Sequence, residues 1–447
     1  MASEWRARTL GELTDNFDSV RVPVKEADRH PGPYPYYGAS GVVDSVDGFL
    51  FEGEYLLVAE DGENLRTRTT PVAFLARGKF WVNNHAHIVR GNAEADTRFL
   101  MYALSATDIG GYLTGSTMPK LTQGNMNRIP LPAPSLREQR AIAHILGTLD
   151  DKIELNRRMN ETLEAIARAL FHSWFVAFDP VRRNMARRGQ PSPGPSGYPL
   201  PQGEGKDKTQ ALPSPFGRED RGEGVIEGGS AFDHLFPDSL VDSELGEIPR
   251  GWDIGRFGGV VEQLRDPENP LAAPDELFHH FSIPAFDEGQ DPRLERGESI
   301  KSLKMRVPPG SVLLSKLNPE IERVWMVDVH PDERAVCSTE FLVLRALSPF
   351  TRSYVYCLAR SPLFRRQIEG LVTGTSKSHQ RAQAESILNL AVVVPPSSIG
   401  VAFDHCADRV LSRTFECQRE SKTLATLRDA LLPKLITGEV RLQDVRA

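Results

Sequence analysis

Short runs of apolar and β-branched residues, separated by turn formers, fill two stretches of the chain, and each stretch gives way to a long run with helical spacing. YLLVA (Tyr55 to Ala59), HIVR (His87 to Arg90), SVLLS (Ser311 to Ser315) and EFLVLR (Glu340 to Arg345) have strand character. One helix is predicted near 96–107 and another near 350–370, which makes both stretches α+β. Ser135 followed by Glu138 forms a capping box, so a long helix is expected to begin there. Its apolar seam, Ile142, Leu146, Leu149, Ile153, Asn156, Asn160, Leu163, Ala167 and Leu170, has the four-three spacing of a coiled coil. Near the C-terminus Phe403, Val410, Cys417, Leu424 and Leu431 fall seven apart, with Pro433 and Gly438 expected to close the helix. A seam on one helix fits packing within a domain equally well. Two of them, one after each stretch, favour antiparallel pairing through Ile142, Leu149, Ile153, Leu163, Val410 and Leu424. Asn156 and Asn160 either fix the register of that pair or lie at its edge.

The second part of the chain repeats the first. Trp5 in WRARTLGEL answers Trp252 in WDIGRFGGV, and LTGST answers VTGTS. Each copy then ends in a Pro-marked apolar strand, IPLPAP from Ile129 and AVVVPP from Ala391. Between them, residues 180–230 are rich in Pro, Gly and charge, as in QPSPGPSGYPLPQGEG, and cannot support a core. The expected segments are a first domain at 1–134, a helix at 135–179, a linker at 180–241, a second domain at 242–396 and a helix at 397–447. Arg182, Arg183, Arg187 and Arg188 fit a solvated charge run better than a nucleic-acid contact.

Hydrophobic residues at 40% and charged residues at 25% are the proportions of a folded, water-soluble protein. Nowhere do eighteen apolar residues follow one another, and the N-terminus lacks a secretory apolar run, so a cytoplasmic protein is expected, with no membrane partner. Cys337, Cys357, Cys406 and Cys417 form no CxxC pair and are expected as buried, reduced thiols. A net charge of -7 means that any surface for nucleic acid must be local.

Catalytic patterns are missing. GEGKDKT at Gly203 is a poor match to a phosphate-binding loop, and no Asn- or Asp-Pro-Pro-aromatic loop for a flipped base occurs. Asp150, Asp151 and Lys152 fit a solvated helix face. His85 and His87, two apart, would share one face of a strand, where a metal is conceivable, but no third ligand is near. Neither a metal nor a catalytic residue is expected.

Two acid-free polar stretches stand at equivalent places in the repeats. From Ile109 to Pro130 there is no Asp or Glu, while Thr114, Ser116, Thr117, Lys120, Thr122, Gln123, Asn125 and Arg128 crowd together. From Gly370 to Ala384 the same holds around Thr373, Thr375, Ser376, Lys377, Ser378, His379, Gln380 and Arg381. Small hydroxyl, amide and basic side chains suit phosphate oxygens and base edges. An ordinary flexible polar loop is the competing description.

Together, TGST from Thr114, IPLPAPSLREQRAIAHILGTLDDKIELN, FVAFDPVR, DSELGEIPRGW and LLPKLITGEV resemble the specificity subunits of Type I restriction-modification systems. The resemblance covers nearly the whole chain, although the second helix opens PPSSIGVAF without Glu-Gln and the linker is longer than usual. It implies two target-recognition domains, each reading half of a bipartite site in double-stranded DNA, separated by two long antiparallel coiled-coil helices. A helix from 135 to about 177 would span roughly 60 Å at 1.5 Å per residue, long enough to separate two readers by a DNA turn of about 34 Å. It also implies two modification subunits using S-adenosylmethionine and two restriction subunits using ATP and Mg, with no cofactor in this chain. By the same resemblance DNA contact falls to the acid-free loops, and to Lys316 and Asn318 in SKLNPE unless these only shape a turn. Asn83, Asn84 and His85 stand between DNA contact and internal hydrogen bonding. A coiled-coil scaffold that binds only protein, or a stand-alone nuclease, would be the alternatives.

Overall fold

The β-branched runs pair into sheets and the seven-residue seams into helices, as their side-chain periods require. The computed structural model describes residues 5–188, 231–372 and 380–441. They fall into two compact units, Met1–Met159 with Cys417–Ala447, and Asn160–Glu416. These units cut across the segments expected above, because each long helix gives one half to the core of each unit.

In the first unit a six-stranded sheet has the order Thr14–Asn16, Ala86–Gly91, Phe51–Ala59, Ala73–Val82, Pro31–Gly38, Gly41–Val46. Phe51–Ala59, whose Leu56, Leu57 and Val58 are fully buried, runs antiparallel to both neighbours. Helix Thr97–Ala106 is N-capped by Asp96, which accepts from the amides of Arg98 and Phe99. Its Phe99, Leu100 and Ala103 share a core with Ile142, Ala143 and Leu146 of helix Leu136–Phe175 and with Leu435 and Ile436 of helix Ser397–Ile436. The capping box at the start of the first long helix is formed in both directions: Ser135 Oγ accepts from the Glu138 amide at 3.3 Å and Glu138 from the Ser135 amide at 3.2 Å.

In the second unit a four-stranded sheet, Val261–Leu264, Phe341–Ala346, Val312–Ser315, Val324–Met326, repeats the order of the first four strands of the six-stranded sheet. A second, five-stranded sheet is added beside it. The helix expected near 350–370 is two, Arg352–Ala359 and Pro362–Glu369, since Pro362 cannot continue the hydrogen-bond ladder and instead opens a new first turn capped by Ser361. Phe171, Trp174 and Phe175 of the first long helix meet Tyr354 and Phe403 in an aromatic core, with centroids 5.2 Å apart for Phe175 and Phe403.

Within each unit the helix halves pair antiparallel. In the first, Asp150 accepts from Arg428 at 2.8 Å, and Asn156, further along, donates to Glu420 at 2.8 Å. In the second, Ala167 and Phe171 share the core with Leu411 and Phe403. Ile142 is buried, whereas Leu149, Ile153, Leu163, Val410 and Leu424 are half-buried, as expected of a seam covered by one partner helix. Asn156 is fully buried.

Three expectations need correction. Pro433 lies inside the second long helix, which ends at Ile436. The linker expected at 180–241 is helical at its start, Asp179–Arg188, and strand Leu240–Ser243 begins before its end. Phe232 and Phe236 bury against Trp174, apolar anchors that its Pro- and Gly-rich composition concealed. Cys406 is only half-buried, unlike the other three thiols. Among the described residues no helix is long and apolar enough to cross a membrane.

Candidate nucleic-acid interface

In the first unit the strand Phe51–Ala59 runs out into Glu60, Asp61 and Gly62, and this end is where the acid-free loop attaches. The Leu121 amide donates to the Glu60 carbonyl at 2.8 Å and the Gly62 amide to that of Pro119 at 3.1 Å, while Glu60 donates to His85 at 2.9 Å. Thr114 and Lys120 close the loop by a reciprocal backbone pair at 2.8 and 2.7 Å. Gly115 has φ +86, and a Cβ there would lie 2.2 Å from the Met118 carbonyl, so the turn requires glycine. Beyond it Ser116, Thr117 and Gln123 are exposed and make no side-chain hydrogen bond among the described residues.

The remaining candidates of this loop are partly committed. Thr114 Oγ1 donates to the Lys120 carbonyl at 3.1 Å, and Lys120 Nζ lies 3.2 Å from Glu60. Thr122 caps the short helix Gln123–Met126, Asn125 Nδ2 donates to the Tyr112 carbonyl at 2.8 Å, and Arg128 donates to Asn125. Asn125 and Arg128 therefore brace the loop. Arg66, outside the acid-free stretch, reaches in to donate to the Gly115 carbonyl at 3.1 Å.

The two histidines do not share a face. His85 belongs to the turn before strand Ala86–Gly91, where alternation has not begun. It is 51% exposed and paired with Asp61 at 2.9 Å, and Asn83 Oδ1 accepts its amide at 2.8 Å, while Asn84 is exposed at the tip. His87 is buried beneath, against Asp18. Among the described residues no group of His, Cys, Asp or Glu could hold a metal ion.

The second unit builds the same backbone frame. Lys316 donates to the Glu340 carbonyl at 2.8 Å, Ala382 to Lys316 at 3.0 Å, and Asn318 to Gln380 at 2.8 Å. Bond for bond, Lys316 replaces Glu60, Asn318 replaces Gly62, Glu340 replaces His85 and Arg381 replaces Lys120. Asn318 shares the left-handed conformation of Gly62, with φ +47 against +113, and its buried Oδ1 has no partner among the described residues. Ser338 caps the Glu340 amide at 3.3 Å, as Asn83 caps His85.

Side chains at this frame differ. Arg381 grips Glu340 with two bonds of 3.1 and 2.7 Å, a planar fork on a carboxylate. Lys316, at the place of Glu60, makes no ion pair among the described residues. Thr373, Thr375, Ser376, Lys377, Ser378 and His379 lie outside the described residues.

Glu60, Asp61, Glu340 and Arg66 were missed by a search for acid-free stretches, because they come from other segments of the chain. Aligning YLLVAEDG with SVLLSKLN would have paired Glu60 with Lys316. Arg183 and Arg187 pair with Asp233, and Arg188 with Asp238, consistent with an ordinary charged surface.

Residues 2–165 match a family described as the Type I restriction modification DNA specificity domain. A Haemophilus influenzae protein named as a type I restriction enzyme specificity subunit is 39% identical over 33% of this chain and 37% of its own length. The HindI specificity subunit of the same organism is 26% identical over 87% of this chain and 84% of its own. In fold, the chain is similar to the crystal structure of a Type I restriction-modification system S subunit from M. genitalium, with a TM-score of 0.58 at 14% identity, covering 97% of this chain and 96% of that one.

Proposed function

We propose that this chain is a member of the family of Type I restriction-modification specificity subunits, to which it is similar, and that it reads a bipartite site in double-stranded DNA, one half through each of its two loop frames. The observation that carries this is the duplicated frame itself, the same backbone bonds with different side chains at equivalent positions. A scaffold held constant while its outward groups change is suited to reading two different base sequences. Ser116, Thr117 and Gln123 present hydroxyl and amide groups that fit base edges and phosphates in a groove. Lys316 supplies a cation for the phosphate backbone.

On this reading the chain has no reaction of its own. It directs modification subunits, which would use S-adenosylmethionine, and restriction subunits, which would use ATP and Mg, two of each as the family resemblance implies. Exposed Leu155, Val401 and Leu427, outside the seam of the long helices, offer apolar surface to such partners. Its place of work would be the cytoplasm.

Co-expression with a modification subunit, followed by sequencing of methylated bases, tests the proposal. A bipartite motif that disappears when this chain is omitted is expected. Methylation unchanged by its omission would instead favour a protein-only scaffold.

A further inference from the structure

His87 sits on strand Ala86–Gly91 and is only 2% exposed. Its Nδ1 lies 2.6 Å from an Asp18 carboxylate oxygen and its Nε2 lies 2.8 Å from the carbonyl oxygen of Leu121. Both neighbours are acceptors. The other Asp18 oxygen accepts the Ile88 amide at 2.8 Å, which fixes the carboxylate in place. A neutral imidazole has one N–H and one lone pair, so it could satisfy one of these contacts while setting lone pair against lone pair at the other. The imidazolium satisfies both.

Leu121 is fully buried and follows Lys120, where the first loop rejoins the strand end, and Thr122 next caps Gln123–Met126. The His87–Leu121 bond therefore ties the root of the loop to the sheet. We propose that His87, as an imidazolium, is a positioning residue for the first DNA-reading loop, so that one half of the recognition site, and not the other, is read less strictly as pH rises. This rests on the DNA-reading function proposed above.

The charged groups around the ring come from several elements. Asp18 faces it from just beyond strand Thr14–Asn16 and Glu60, at 3.9 Å, from the end of Phe51–Ala59. Arg21 pairs with Glu60 at 3.0 Å and approaches Asp18 at 3.8 Å, and Lys120 pairs with Glu60 at 3.2 Å. Asp61 and His85 pair with each other at the exposed edge. Burial opposes the charge on His87, but the bonds to Asp18 and Leu121, with the field of Glu60, outweigh it and raise its pKa above the ordinary imidazole value. On deprotonation the remaining proton belongs on Nδ1, beside the carboxylate, and the bond to Leu121 is the one given up.

The second unit is a built-in control. His87 lies opposite Val58 in the first sheet, and Leu342 lies opposite Leu314 at the equivalent place in the second. No titratable group stands there.

The test uses the assembled methyltransferase complex on DNA randomised separately in each half-site, between about pH 6 and pH 9. Discrimination in the half that follows residues 1–134 is expected to fall on the order of tenfold as pH rises, with the other half unchanged. Changes in the chemistry of methyl transfer affect both halves together and cancel in the ratio. His87→Gln should flatten the profile, and because that variant gives up a buried pair with Asp18 on which folding can depend, the wild-type profile also stands alone with its second half as reference. Equal change in both halves, change in neither, or a slope retained by His87→Gln would overturn the proposal. A complex with no bipartite motif at any pH would overturn the DNA-reading function as well.

Discussion

The Lys120 ammonium lies against Glu60, whereas Lys316, at the position equivalent to Glu60, makes no ion pair among the described residues. Only an uncompensated cation adds a full counterion-release contribution on meeting a phosphate. Lys316→Ala should therefore lower the salt dependence of DNA binding by about one unit of log-log slope, measured on the assembled complex, and Lys120→Ala should lower it less. Asp404, buried next to Phe403 on the second long helix, gives a second prediction. Burial pushes its carboxyl up to about 6, although the Thr351 hydroxyl donates to it, and its second oxygen has no hydrogen-bond partner among the described residues. A raised folded pKa means a stabilising contribution complete below about 4 and lost as pH climbs through about 6. Relative to the wild type, Asp404→Asn should gain about 1–3 kcal/mol between those limits, read from denaturant titrations. The same sign applies to His87, whose contribution is complete below the ordinary imidazole range and is lost as pH passes its raised folded value. The donors of the first loop were legible in sequence because composition alone marks them. Their acidic partners were not, since Glu60 and Glu340 meet the loops only through sheet register, and nothing in a string of letters tells that both nitrogens of His87 face acceptors.

At the scale of elements, the long helices were readable from the capping box and the seams, and their burial shows what the pattern could not convey. Asn156 donates to Glu420 and, at 3.4 Å, to the Cys417 carbonyl, while its own buried Oδ1 has no partner among the described residues. A buried amide left half-satisfied destabilises a helix pair while fixing its register. Asn156→Leu should raise the thermal midpoint by roughly 2–6 °C, and calorimetry on the purified chain or its complex checks this; a lowered midpoint would mean that the Asn156 bonds outweigh its desolvation. The break at Ser361-Pro362 was missed although the proline was visible, because apolar periodicity continues across it. The ends of the linker were missed for the opposite reason. A few aromatic anchors, Phe232 and Phe236 on Trp174, order chain whose neighbours are rich in Pro and Gly.

Across the whole molecule, the repeat seen in TGST and TGTS and in Trp5 and Trp252 extends to individual hydrogen bonds, from the strand pair Ala7–Thr9 with Pro130–Pro132 and its counterpart Asp253–Arg256 with Ala391–Val394 to the loop frames. The division into units keeps each repeat whole and cuts through the helices instead, since 160–416 and 1–159 with 417–447 each take half of both helices. Each repeat thus has its own core, which allows its loop frame to vary without the other. Replacing residues 1–134 with those of a relative, and sequencing the bases methylated by the assembled complex, tests this independence most directly. One half of the bipartite motif should change while the other half and the unread gap stay as they were; a motif unaltered, or altered in both halves, would contradict the account.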